Sequence, residues 1–102
     1  PEENIKSTPL HKTADQSIHL IQIRRAEGAH IHRTHDLIVM LKSGRGVLHM
    51  GKETIEMNEG DWAFIPRGVE HYFVNKGTGV AVGLGIFAPA YDGVDTVPAG
   101  GG

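Results

Sequence analysis

No stretch of eleven or more residues in this chain carries a clean helical period, and this limits what it can fold into more than any other feature. In place of amphipathic helices there are short β-rich runs separated by turn chemistry. They span Ser17 to Arg24, Leu37 to Leu41, Gly46 to Met50, Glu53 to Met57, Trp62 to Ile65, His71 to Asn75 and Val80 to Phe87. Gly51-Lys52 stands between two of them as a hairpin loop, and Asn58-Glu59-Gly60-Asp61 marks another reversal. Roughly seven or eight strands, with a turn about every ten residues, predict an all-β sandwich or barrel. Leu37 to Leu41 is apolar throughout, the pattern of a strand covered on both faces. No internal repeat divides the 102 residues, and their length suits one modest core rather than two. The expected organisation is a single domain: residues 1–16 an N-terminal arm or strand, residues 17–90 the barrel, and residues 91–102 a tail with a disordered Gly-rich end.

Composition removes several classes of function. Ten Lys and Arg scattered among twelve acids, for a formal charge of −2, leave no basic face for nucleic acid. Nothing approaches the ~18 apolar residues of a membrane helix, and the opening residues lack the charged-then-apolar order of a signal peptide. Neither a nucleic-acid nor a membrane partner is expected. Pro1 is not an initiator Met, so the compartment stays open between the cytoplasm and, for a chain whose leader was removed, the periplasm. The absence of cysteine excludes disulfides, thiolate zinc sites and cysteine nucleophiles. There is no Gly-x-Ser-x-Gly elbow, no P-loop, and no Gly-x-Gly-x-x-Gly leading into a helix.

What stands out is histidine, seven times in 102 residues. His30 and His32 lie two apart, so on a strand both imidazoles face one side, roughly 7 Å apart along the chain, and can close on one ion. A third ligand must come from another strand, and His71 qualifies because it opens an apolar run just after a Pro-containing turn. His-x-His alone is a weak signal. The surroundings of His71 are more specific: Gly60, Pro66, Gly68, His71 and Asn75 match the second motif of the cupin superfamily, Gly-x5-Pro-x-Gly-x2-His-x3-Asn, at all five defined positions. Glycine and proline there shape the turns on either side of a strand, and Asn75 is expected to bond local backbone rather than a metal. The first cupin motif, Gly-x5-His-x-His-x3–4-Glu-x6-Gly, is matched only in part. His30, His32 and Gly44 fall in register, Arg24 replaces the leading glycine, and the expected glutamate falls on Leu37.

The chain thus resembles a small single-domain cupin over about residues 17–90. The resemblance implies a jelly-roll β-barrel with one divalent metal inside, and a homodimer whose second subunit covers the outer side of the Leu37 to Leu41 strand. Leucine cannot ligate, so the inner set is expected to be three neutral histidines, His30, His32 and His71, with positions left open for water or a small-molecule ligand. Asp36 is a rival for the lost acid, but on a strand it faces away from Leu37, and its ordinary reading is a solvated turn acid. His35 is a candidate fourth ligand or proton shuttle, set against an exposed loop histidine. His11, His19 and His49 have no partner at ligand spacing and read as structural or surface residues. Glu70 is expected to face away from the metal. Trp62, Tyr72, Phe73, Met40 and Met50 are expected in the core or at the dimer interface.

For function, the first expectation is a metal-dependent oxygenase acting on a small organic molecule. Iron is the metal that chemistry favours; zinc, manganese, nickel and copper are compatible with the same ligands. The alternative is a non-catalytic module in which the metal captures an anionic or sugar-like ligand. A purely structural ion fits open coordination poorly. Without the glutamate no acid–base pair accompanies the metal, which weighs against isomerase or decarboxylase chemistry more than against oxygen chemistry.

Overall fold

The structure, a computed structural model, describes residues 4–92 and 96–98. The described residues form strands and turns with no helix. In chain order the strands are β1 (Ile5–Lys12), β2 (Ser17–Ile23), β3 (His30–His32), β4 (Asp36–Ser43), β5 (Gly46–Met50), β6 (Glu53–Met57), β7 (Trp62–Ile65), β8 (His71–Asn75), β9 (Ala81–Ala88) and β10 (Thr96–Pro98). They make two five-stranded sheets, ordered β1-β2-β9-β4-β7 and β10-β3-β8-β5-β6. Every pairing is antiparallel, and the two sheets close on each other as a jelly roll.

The strands expected from Ser17 to Phe87 are present almost residue for residue. Three more join them. The N-terminal segment, which patterning left between arm and strand, pairs with β2 as β1. The two-apart histidines have a three-residue strand of their own. The third strand is a surprise, because the tail reads as loop: Thr96, Val97 and Pro98 return to pair with His32, Ile31 and His30. The disordered Gly-rich end expected at 100–102 lies outside the described residues. Hairpin β5–β6 turns on Gly51, whose φ of +59° is open to glycine at little cost. Lys52 keeps a negative φ, the arrangement of a type II′ turn.

Alternation along β4 decides what the apolar run does. Leu37 and Leu41 point inward and are buried with Ile23, Leu48, Ile65, Phe73 and Phe87 in a single core. Burying a side chain of this size contributes about 2 kcal/mol in transfer free energy. Ile38 and Met40 point outward. They sit in register with Phe64 and Trp62 of β7, and all four are exposed. Thus, among the described residues, only the inner face of this strand is covered, and Trp62, at 67% exposure, is not a core residue. It is this outer apolar stripe that the expected second subunit would have to cover.

Candidate metal centre

Strand pairing brings the three histidines together. His30 lies directly opposite His71 in the β3–β8 ladder, and His32 follows on the same side of β3. Ring centroids are 4.2 Å apart for His30 and His71, 5.0 Å for His30 and His32, and 5.2 Å for His32 and His71. One nitrogen from each ring lies within 4.8 Å of the others. Nitrogens bound at about 2.1 Å to a common ion stand at most about 4 Å apart, so small ring movements complete the set. The turn before His71 is tied to the same strand. Gly68, with φ +83°, donates its N–H to the His32 carbonyl at 2.7 Å, which fixes where β8 begins.

Local backbone sets the tautomers. His30 Nδ1 donates to the Gly28 carbonyl at 2.7 Å and His71 Nδ1 donates to the Val69 carbonyl at 3.1 Å. Each ring is thereby left with its Nε2 lone pair for the centre, the arrangement that metal-binding histidines use. His71 Nε2 is buried and has no hydrogen-bond partner. A buried polar atom without a partner costs about 1–3 kcal/mol, and a cation among the three rings would remove that cost. Burial, aided by the nearby His30 and His32 and opposed by the Val69 hydrogen bond, lowers the His71 pKa to about 4. Its imidazole is therefore neutral at ordinary pH, the state a ligand needs. The residues fit a divalent ion.

Leu37 does what its position foretold. It is 4% exposed, faces the same interior and offers the centre no ligand atom. Asp36 does not replace it. Its carboxylate points out of the barrel and pairs with Arg67, Oδ1 accepting from the backbone N–H at 3.0 Å and from Nε at 3.2 Å. The side-chain and backbone bonds from Arg67 hold its pKa below the usual carboxylate range. The strand's period of two settles that rivalry.

His35 is neither a ligand nor a solvated loop residue. It is 2% exposed, Nε2 donates to the Ala90 carbonyl at 3.0 Å, and Nδ1 accepts from Thr34 Oγ1 at 3.1 Å. Both nitrogens are hydrogen-bonded, so neither lone pair is open to a metal. The residue instead pins the tail, whose Tyr91 packs on Phe87 and beside His32. His49 stacks on Tyr72 away from the site, His11 and Glu70 are exposed, and Asn75 bonds the Ile23, Arg24 and Gly79 carbonyls. His19 bonds Ser17 and borders the approach to the centre.

The motif spacing missed Glu27. It belongs to the connection between β2 and β3, yet lines the barrel interior with the histidines. Its N–H donates to the Phe73 carbonyl at 2.9 Å, and its Oε1 accepts the Phe73 N–H at 2.9 Å. Burial pushes its pKa up, against the charge of nearby His30 and the Phe73 bond. No spacing rule would have found it, because it stands outside both motifs and outside any strand.

Two spaces meet at the centre. Inside is a chamber of about 100 Å³, mostly apolar, walled by Leu37, Leu48, Ile65 and Phe73. Outside is a wider cleft of about 490 Å³ bordered by His19, Ile21, Phe87 and Tyr91. His30, His32 and Glu27 border both.

A family profile described as a cupin domain matches residues 17–87. An uncharacterized protein of Aquifex aeolicus is 40% identical over 95 residues, covering 93% of this chain and 78% of its own length. Among solved structures, KdgF from a Halomonas species superposes with a TM-score of 0.82 at 22% identity, over 89% of this chain and 84% of that one. A variant of Streptomyces PAC13 with uridine superposes at 0.81 and 15% identity, over 96% of this chain and 80% of that one. Such identities bear on the fold alone.

Proposed function

The chain belongs to the cupin family, and from that premise we propose that it is a metal-dependent enzyme, an oxygenase of small organic molecules, with His30, His32 and His71 as its protein ligands among the described residues. The observation that carries this reading is the buried, unpartnered His71 Nε2 among two rings whose own Nδ1 or strand position aims them at the same point. When bound, a divalent ion there supplies Lewis acidity and, if it is iron, one-electron chemistry with dioxygen. The chain's own part is placement. Val69 and Gly28 carbonyls orient two rings, and the mostly apolar chamber of about 100 Å³ has room for dioxygen. The wider cleft admits the organic substrate from the other side.

The test is oxygen uptake by the iron-loaded protein over a panel of small thiols, diketones, phenolic compounds and hydroxycarboxylates. Consumption that requires both iron and one substrate class is expected. Stoichiometric iron with no consumption on any of them would sink the oxygenase reading in favour of a non-catalytic binding module.

A further inference from the structure

The carboxylate missing from the expected motif position has a counterpart elsewhere in the interior. Glu27 reaches the centre from the β2–β3 connection, held on both sides by one residue: its N–H and its Oε1 are each bonded to the backbone of Phe73 at 2.9 Å. The Phe73 N–H thus anchors one carboxyl oxygen before any ligand arrives. Oε1 is occupied, while Oε2 has no protein hydrogen bond among the described residues. Glu27 borders both the inner chamber and the outer cleft, beside His30. It lies outside the three-histidine group itself and would stand beside an ion held there.

We infer that Glu27 is a specificity-determining residue whose Oε2 accepts a hydrogen bond from a hydroxyl of the substrate, next to the group that the metal takes. This rests on the metal reading above. Three neutral imidazoles leave the ion its full charge and favour an anionic donor such as a carboxylate. A cation held beside Glu27 favours its ionised form against the burial that raises its pKa, and the carboxylate then presents only acceptor capacity, which suits an O–H donor on the same ligand. An ammonium would serve less well, since a second buried ion pair in apolar walls carries a desolvation cost that a hydroxyl avoids. The ligand class is therefore a small hydroxycarboxylate.

Cobalt-loaded protein at neutral pH provides the test, with ligand binding followed by the visible absorption of the metal. The probes are glycolate and acetate, which carry the same charge and differ by one hydroxyl. Their affinity ratio in wild type is compared with that in Glu27→Gln, which keeps an oxygen for Phe73 N–H but turns the other position into a donor. The ratio is expected to fall about tenfold in the variant, since a hydrogen bond to a charged acceptor is lost. A ratio unchanged by Glu27→Gln, or no glycolate preference in wild type, overturns the role of Glu27 while leaving the metal centre standing. Failure of wild type to take up cobalt overturns the metal centre, and this inference with it.

Discussion

His71 and His35 are equally hidden from solvent, each 2% exposed, and they do opposite things. His35 has a partner for each nitrogen, an Ala90 carbonyl for Nε2 and a Thr34 hydroxyl for Nδ1. His71 has a partner only for Nδ1. Both rings are close to other aromatic side chains, but only His71 has two more imidazoles aimed at its open nitrogen. Burial therefore does not mark a metal ligand. An unmet buried lone pair, converging with others, does. The first arrangement stabilises a tail against a barrel; the second leaves a small electrostatic deficit that a cation relieves.

The largest expected effect separates the two residues by metal content. His71→Ala should reduce bound divalent metal, measured by elemental analysis of untagged protein, from about one ion per chain to near none. Losing one of three protein ligands typically costs orders of magnitude in affinity, more than loss of an outer partner, which already costs 10–100-fold. Wild-type metal content in the folded variant would break the comparison on its metal side.

Next in size is a pH effect in metal-free protein. His71 has a folded pKa of about 4, below the ordinary histidine value of 6.5, so the unfolded chain binds more protons between those values. The contribution is fully present above pH 6.5 and is lost as pH falls toward 4, for a total of about 3 kcal/mol. Urea midpoints recorded across that window should decline with acid, and His71→Ala should remove this part of the slope. Equal slopes in wild type and variant would show that the ring is not held neutral by its site.

The smallest effect belongs to the satisfied histidine. His35→Ala should lower unfolding free energy by about 2 kcal/mol, because Ala90 loses its buried donor and a small void opens. Metal per folded chain should stay at the wild-type level. Loss of metal with little loss of stability would reverse the assigned roles.

Particular residues show how far the chain could be read without its fold. The strands from Ser17 to Phe87 were legible because alternation and turn residues are local. The trio of His30, His32 and His71 was legible because two motifs place them on strands, His30 and His32 at the two ends of β3 and His71 at the start of β8. Leu37 was legible as a lost ligand, and Asp36 as its outward neighbour, from the period of a strand alone. His35 was not legible. Its setting, Arg33-Thr34-His35-Asp36, is polar as a loop is polar, and the carbonyl that buries it comes from residue 90. Tail strand β10 escaped for a related reason: three residues paired with β3 carry too little pattern to announce a strand.

By itself, then, the sequence determined the all-β class, the order of the central strands, the three histidines and the absence of the usual carboxylate. These follow from spacing, and spacing survives in a linear chain. Only the tertiary structure decided which nitrogen was left unmet, which histidine was already satisfied, and that Glu27 enters the centre from outside any motif. Glu27 meets Phe73 across 46 residues of chain and His35 meets Ala90 across 55. Contacts of that span depend on how two sheets close, and no periodicity along the chain records them.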